Sequence, residues 1–368
     1  MAPAAVLTPE ALATALERFP RVDYGSRPTP LEALPNLTRH LGGPQLWIKR
    51  DDGIGPGLGG NKGRKLAFLM AEAQAQKRRR VVTYGGLQSN HARMTAAACA
   101  DLGLEAHLFF FARRPPRLEG NLLLNQLCGA RLHFIPFGGG GDGTMTLEMT
   151  DRLVRFLSFL FVGARAAFIP VGGHSVTGGL GYVEAALEIE RQVGALGLPA
   201  ARTTVLVAAG TGGTLAGLFA GFALLGSSLR VLGLDIGRLW KGFAATVARL
   251  AAQLCGALGA PRPLRADEVP LVEGRYAGPG YAVFTPEAER AIALLARHEA
   301  VILDPVYTGK AFAGLLDLVA GGRFAEDEHV IFLHSGGLPG LWAYENEFQF
   351  DESGAEPPQS SVSSERLR

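Results

Sequence analysis

Gly53-Ile54-Gly55-Pro56-Gly57-Leu58-Gly59-Gly60-Asn61-Lys62-Gly63-Arg64-Lys65-Leu66 is the stretch that decides how this chain is read. Its glycines let the backbone turn tightly and approach a ligand closely. Lys62, Arg64 and Lys65 follow at once, where Leu66, Leu69, Met70 and Ala73 begin an apolar-periodic helix. A lysine amine near a helix N-terminus, among cationic neighbours, is pushed toward its neutral form. A neutral amine attacks carbonyls, so such a lysine can hold an aldehyde cofactor as a Schiff base. The competing account is a surface loop with solvated cations, since short patterns match by accident.

Outward from this hinge, short apolar β-rich runs alternate with helical stretches. The runs are Leu46-Trp47-Ile48, Val81 to Tyr84, Ala106 to Phe110, Leu132 to Ile135, Ala167 to Ile169, Val205 to Ala208, Val231 to Leu234 and Val330 to Leu333. Several are continuously hydrophobic, as strands are when helices cover both sheet faces. Val183, Ala186, Ile189 and Val193 recur at helical spacing between them. The rhythm predicts an α/β protein with largely parallel sheets. The loop 138–143 and the stretch 256–270 are expected to be flexible connectors, and 351–368 a disordered Ser/Glu/Pro-rich tail.

A chain of 368 residues, 48% hydrophobic, is expected to form two domains or one large body with an insertion. A net charge of +2, from 36 basic and 34 acidic residues, gives no nucleic-acid footprint. The basic run Lys77-Arg78-Arg79-Arg80 is explained by a solvated helix end. Cys99, Cys128 and Cys255 are not at metal-ligand spacing and suit buried thiols in a reducing compartment. No His spacing of H-E-x-x-H type appears, so no metal is expected. Thr203 to Ser228 carries no charge, but glycines at 210, 212 and 213 divide it into a strand, a turn and a helix. No signal-peptide layout opens the sequence, and the chain is expected to be soluble and cytoplasmic, with no membrane partner.

Four glycine-bearing turns each follow an expected strand and precede a helix: Tyr84-Gly85-Gly86-Leu87-Gln88-Ser89-Asn90-His91, Gly172-Gly173-His174-Ser175, Gly210-Thr211-Gly212-Gly213-Thr214 and His334-Ser335-Gly336-Gly337. Strand ends in a parallel sheet converge on one crevice, so these turns can face a common ligand. Gly210 to Thr214 is the best phosphate cradle, with bare amides and two hydroxyls at a helix start. Ser89, Asn90 and His91 suit a substrate carboxylate, although Ser89 or Asn90 as an ordinary N-cap explains them too. Thr308, in Asp304-Pro305-Val306-Tyr307-Thr308-Gly309-Lys310, can cap the next helix. Tyr281 lies in a comparably constrained loop, and a tyrosine relays protons when nearby cations lower its pKa. Gly55 to Gly60 formally fits the dinucleotide pattern, but Arg50-Asp51-Asp52 intervene after the strand and no suitable acid follows.

Gly59 to Leu66, Gln88-Ser89-Asn90-His91, Gly210 to Thr214 and Leu303 to Lys310, in that order, resemble the family of D-cysteine desulfhydrases and 1-aminocyclopropane-1-carboxylate (ACC) deaminases. The resemblance runs from about Tyr24 to about Tyr344. It implies a pyridoxal-phosphate enzyme of fold type II, the tryptophan-synthase-β-like α/β architecture of two open, mostly parallel sheets with helices on both faces. It also implies a homodimer, a large cofactor domain of residues 1–67 and 173–350, and a small substrate-side domain of residues 68–172.

By that resemblance Lys65 would be the Schiff-base lysine and Gly210, Thr211, Gly212, Gly213 and Thr214 would bind the cofactor phosphate. Asn61 and Asn90 would lie by the cofactor ring, and Ser335 would face its pyridine nitrogen. Ser89, Asn90 and His91 would hold the amino-acid substrate, with Tyr281 and Tyr307 flanking the reacting carbons. Deaminases of the family carry Glu after the second tyrosine and Leu before the late Gly-Gly; this chain has Thr308 and Ser335, closer to the desulfhydrases. The expected reaction is therefore α,β-elimination from a β-substituted alanine, D-cysteine first. ACC deamination, sulfo-lyase action on L-cysteate, an inert ligand-binding protein and a nucleotide-dependent dehydrogenase are the rivals. Where the desulfhydrases continue Tyr-Gly-x-Pro-Asn, this chain has Tyr281-Ala282-Val283-Phe284-Thr285, which puts the seat of Tyr281 in question.

Overall fold

The computed structural model describes residues 6–25, 27–136 and 146–349. The expected connector at 138–143 and the expected tail at 351–368 lie outside the described residues. Ten strands are described: β1 (Leu31–Ala33), β2 (Gln45–Lys49), β3 (Arg80–Gly85), β4 (Glu105–Phe110), β5 (Arg131–Phe134), β6 (Ala167–Phe168), β7 (Thr203–Ala209), β8 (Arg230–Asp235), β9 (Leu271–Val272) and β10 (His329–Leu333). They form two open sheets, ordered β1-β2-β10-β7-β8-β9 and β5-β4-β3-β6, and every pairing is parallel except β1 with β2.

Around them lie α1 (Pro9–Glu17), α2 (Pro35–Leu41), α3 (Lys62–Ala75), α4 (Asn90–Asp101), α5 (Asn121–Leu127), α6 (Leu147–Phe161), α7 (Val176–Ala195), α8 (Gly213–Leu225), α9 (Phe243–Ala257), α10 (Pro286–Glu299), α11 (Thr308–Ala320) and α12 (Leu338–Leu341). Alternation along each strand sends side chains to opposite faces. Val205, Val207, Ile331 and Leu333 meet α1, α7, α8 and α9, whereas Leu206, Ala208, Val330 and Phe332 meet α10 and α11. In the smaller sheet, Val81, Leu108 and Phe110 face α3, α4 and α5, and Val82 and Phe109 face α6. This double-sided burial is the reason the strand sequences read as unbroken apolar runs. The stretch 256–270 differs from the expected connector: α9 continues through Ala257, and Ala266–Glu268 forms a 3-10 turn.

α3 belongs to both cores. Ala67 and Phe68 pack with the large-sheet helices, while Leu66, Leu69 and Met70 pack with the small sheet. Close approach is enforced by small residues. A Cβ at Gly181 of α7 would stand 2.3 Å from the Arg64 carbonyl oxygen, and one at Gly217 of α8 would stand 2.4 Å from the Tyr182 Cβ.

Beneath the start of α3 lies a buried charge network. The Arg64 guanidinium donates to both carboxylate oxygens of Asp51, each at 2.9 Å, and to those of Glu188 at 2.8 and 3.0 Å. Lys49 pairs with Glu188 and donates to Gln192 and the Thr29 carbonyl, each at 2.6 Å. The Tyr182 hydroxyl donates to Asp51 at 2.7 Å. Burial would raise the Asp51 carboxyl, but Arg64 and Lys49 outweigh it and hold it low. Two cations and two carboxylates thus neutralise one another out of water, tying β2, α3 and α7 together. Removing one member of such a set leaves a charge unpaired, at a cost of about 3–5 kcal/mol. Asp51→Ala is expected to lower unfolding free energy by about that amount in a denaturant titration.

Candidate active site

All four glycine-bearing turns lie at the carboxyl ends of parallel strands, after β3, β6, β7 and β10. Gly85, Gly86, Ser89, Asn90 and His91 from the first, Gly172 from the second, Gly210 to Thr214 from the third and Ser335 from the fourth line one cavity of about 230 Å³. Asn61, Lys62, Lys65, Tyr281 and Tyr307 line it too. The structure therefore brings together every residue that the sequence singled out as a site candidate.

Lys65 is 1% exposed, and its amine donates to the Gly172 carbonyl at 3.1 Å. Burial pushes its ammonium well below the usual lysine range, and the charge of Lys62 lowers it further. The sequence reading also gave Arg64 a part in this. The structure corrects that: Arg64 is turned away into its own carboxylates, so burial takes the leading role. Lys62 is itself lowered to about 8, mainly by burial. Its amine donates to the Asn61 side-chain oxygen at 2.9 Å, and the Asn61 amide nitrogen donates to Thr214 Oγ1 at 3.1 Å.

The turn 210–214 has the form of an anion cradle. Gly212 is left-handed at φ 76°, and α8 begins at Gly213, so the first amides of that helix have no partners within it. A Cβ at Gly212 would stand 2.5 Å from Val247, and one at Gly213 would stand 3.0 Å from the Lys65 amine. Gly212 is kept bare by its packing on α9, and Gly213 by the approach of the Lys65 amine. An anion here gains the positive end of the helix dipole.

On the opposite side Ser89 is the N-cap of α4, accepting from the Ala92 amide at 3.2 Å while its hydroxyl still lines the cavity. Asn90 accepts from Asn121 at 2.9 Å, which fixes its oxygen and leaves its own amide hydrogens to donate. His91 is bonded to Thr83 Oγ1 at 3.0 Å and kept neutral by burial and by Lys62 and Lys65. The Tyr281 and Tyr307 hydroxyls meet at 2.5 Å, with the rings edge to face at 5.8 Å. Burial pushes Tyr281 up to about 12 and also raises Tyr307 well above the usual phenol range. The lowered phenol pKa entertained from sequence is thus corrected; both hydroxyls stay protonated and act as donors.

Tyr281 lines the cavity, and its loop has its own backbone form. Ala282 adopts the left-handed φ of 59° that glycine takes more readily, and its carbonyl accepts from Tyr344 at 2.8 Å. The cap of α11 is also reassigned. Asp304, not Thr308, accepts the amides of Val306, Tyr307 and Thr308, each at 2.9 Å, and the Thr308 hydroxyl donates to it at 2.7 Å.

Tyr84, which opens the first of the four turns, lines the cavity as well, and sequence reasoning missed Phe111, Thr150, Val171, Leu239 and Trp240, which complete the walls. Trp240 donates from its ring nitrogen to the Gly210 carbonyl at 3.0 Å, bracing the cradle. His174 borders the cradle and is held neutral, near 3, chiefly by burial. Phe111 and Leu239-Trp240 follow the ends of β4 and β8, so the rule that located the four turns was the available signal. Among the described residues no group of His, Cys, Asp or Glu could hold a metal, and no helix is long and apolar enough to cross a membrane.

An open, mostly parallel α/β fold with a neutral lysine beside an anion cradle defines a carbonyl-binding, phosphate-holding enzyme. The model of the pyridoxal-phosphate dependent enzyme family matches residues 22–336, and the chain belongs to that family. A solved structure described as an ACC deaminase homologue is 34% identical, covering 92% of this chain and 98% of that one, with a TM-score of 0.79. The processed form of threonine deaminase isoform 2 from Solanum lycopersicum (18% identity, 95% of this chain and 88% of that, TM-score 0.58) shares the fold. So does apo Escherichia coli diaminopropionate ammonia lyase (16%, 94% and 91%, 0.59). The fold is type II of the pyridoxal-phosphate enzymes, and the cofactor is pyridoxal phosphate. The unpartnered amides at the start of α8 fit its phosphate, and the Lys65 amine beside Gly213 fits its aldehyde.

Two outcomes test this geometry. Ala282→Gly is expected to stabilise the protein by about 1 kcal/mol in thermal or denaturant unfolding, because it relieves a left-handed alanine. Asp151 accepts from Tyr84 at 2.8 Å and is raised by burial from 3.8 to about 6. Such a carboxyl keeps its proton longer in the folded chain, so stability falls as pH rises from about 4 through 6. Asp151→Asn is expected to remove about 1–2 kcal/mol of that fall and to match the wild type below pH 4, by unfolding at each pH.

Proposed function

We propose that this protein catalyses α,β-elimination from a β-substituted alanine, with D-cysteine the first substrate, giving pyruvate, ammonia and hydrogen sulfide. The observation that carries the proposal is a buried Lys65 amine, its basicity lowered by that burial, lining one cavity with a pair of hydrogen-bonded phenols. Bound pyridoxal phosphate supplies an electron sink for the carbanion at Cα. Residues 210–214 hold its phosphate, Asn61 and Asn90 border its ring, and the neutral hydroxyl of Ser335 serves the ring nitrogen. Ser89, Asn90 and the start of α4 receive the substrate carboxylate, while neutral His91 adds a hydrogen bond without adding charge.

Lys65 Nζ, its basicity lowered by burial, accepts the α-proton. The C–S bond breaks, its electron pair leaves with sulfur, and Tyr307 or Tyr281 passes a proton to the departing thiolate. The released enamine takes up water to give pyruvate and ammonia. In this reading residues 68–172 form the substrate-side domain, residues 1–67 and 173–350 form the cofactor domain, and the enzyme is a cytoplasmic homodimer.

Ser335 and Thr308 favour elimination over ring opening. A hydroxyl does not keep the ring nitrogen protonated, and a weaker sink suffices when the leaving group is good. A glutamate at 308 would stand beside the buried Asp304 carboxylate, whereas threonine donates to it. The 34% identity to the ACC deaminase homologue keeps cyclopropane opening as the second reading. Purified protein is expected to be yellow and to form pyruvate from D-cysteine faster than from L-cysteate, with no keto acid from ACC. Lys65→Ala is expected to abolish turnover and the visible absorption of the lysine-bound cofactor. Faster turnover of ACC would replace the elimination reading, and an active Lys65→Ala would remove the role given to Lys65.

A further inference from the structure

Beside the phenol pair the cavity is walled by Tyr84, Phe111, Leu239 and Trp240. The Tyr84 and Phe111 rings meet edge to face with centroids 6.2 Å apart, and Trp240 packs against the apolar cluster that holds Tyr84. The wall adjoins the Tyr281 hydroxyl. A Cβ at Gly86, on the turn that Tyr84 opens, would stand 3.2 Å from that hydroxyl. One at Gly237 would stand 3.0 Å from Leu239 Cγ and 3.3 Å from the Tyr281 Cβ. A group held beside the Tyr281 hydroxyl therefore borders this wall.

The polar groups of the wall are engaged within the protein. The Tyr84 hydroxyl donates to Asp151 at 2.8 Å, and the Trp240 ring nitrogen donates to the Gly210 carbonyl at 3.0 Å. The hydroxyl of Thr150, which also lines the cavity, donates to the Thr146 carbonyl at 3.3 Å. None of the three has a hydrogen left for a ligand. Among the described residues that line the cavity, Lys62 and Lys65 are the only Lys, Arg, Asp or Glu, and both belong to the start of α3. Phe111, Leu239 and Trp240 remain half-buried, so apolar surface is left for a ligand to cover. The segment that carries Leu239 and Trp240 is held in place. Asp235 accepts the amides of Gly237 and Arg238, each at 3.0 Å, and the Arg238 guanidinium donates to the Gly274 carbonyl at 3.0 Å.

We propose that this wall receives the group carried on the substrate's sulfur, so that uncharged S-alkyl and S-aryl cysteines are turned over in preference to cysteine itself. The inference rests on the elimination proposed above and narrows its substrate class. A bare thiol leaves the wall uncovered, whereas a thioether covers it, and removing apolar area from water is favourable in proportion to that area. Thioether sulfur and aromatic rings attract one another as well. A sulfonate or carboxylate in the same place would be desolvated without a donor. The step balances. The C–S bond breaks, its electron pair leaves with sulfur as a thiolate, and a phenol proton turns that into a thiol, which takes the place of hydrogen sulfide. The α-proton taken by Lys65 replaces the one the phenol gives up, and water releases pyruvate and ammonia from the enamine, so no oxidant or reductant enters.

The test compares D-cysteine, S-methyl-D-cysteine and S-phenyl-D-cysteine as substrates of the cofactor-loaded enzyme, by pyruvate release. kcat/KM is expected to rise in that order, at least ~10-fold from first to last. A value for the phenyl compound no higher than for D-cysteine overturns the role of the wall and leaves elimination standing. No pyruvate from any of the three overturns elimination itself. Binding is separated from the ease of departure by titration calorimetry with D-homophenylalanine, whose phenyl group hangs on a carbon chain with no leaving group. It is expected to bind at least ~10-fold tighter than D-alanine, and equal affinity counts against the wall. Leu239→Asp, which sets a carboxylate there, is expected to lower the ratio of kcat/KM for the phenyl compound over D-cysteine at least ~10-fold. That ratio does not depend on how much of the variant folds, and an unchanged ratio also counts against the wall.

Discussion

The clasp of Arg64 by Asp51 and Glu188 is the contact on which the site depends. Arg64 and Lys65 are neighbours on α3, and a helix turns successive side chains about 100° apart. One enters a carboxylate nest, where its charge is cancelled and its position fixed. The other enters an apolar and polar wall with no carboxylate, where burial weakens its hold on a proton. Two adjacent basic residues thereby acquire opposite roles, the one that stays charged as an anchor and the one whose pKa shifts readily as the reactive group. The first holds the helix so that the second points at the ligand.

The same economy recurs where caps border the cavity. Ser89 closes the first turn of α4 with its oxygen and keeps a hydroxyl hydrogen for the substrate side. Asp304 gathers three amides at the start of α11, which sets the direction of Tyr307 just before that helix. In each case an ordinary local device also decides what the cavity presents. A capping account and a site account of these residues are therefore compatible, although from the sequence they compete.

Much of this was legible in the chain because the signals are local. Strands β2, β3, β4, β7, β8 and β10 are apolar runs between glycine turns, and the turns sit where parallel-sheet geometry needs them. β1 and β9 were not visible: three and two residues at the sheet edges carry no periodicity. The charge network was equally hidden, since Asp51, Arg64 and Glu188 meet only through folding across more than a hundred residues. Trp240 and Phe111 carried no signal of their own, because an aromatic on a cavity wall and one in a core have the same composition signal. Tyr281 shows the reverse: its loop sequence departs from the family it resembles, yet Ala282 accepts the backbone turn a glycine would have made.

Gly181 and Gly217 have a consequence for how this enzyme can change. At both, α3, α7 and α8 approach until a methyl group would overlap backbone or Cβ atoms. The spacing of the three helices behind the lysine is therefore a fixed dimension that point substitutions cannot widen by degrees. Leu239 and Phe111 have no such restriction, because they face open cavity and are free to vary in size. New substrate preferences are accordingly expected to arise by recutting the lateral walls, while the depth at which the cofactor sits is inherited unchanged.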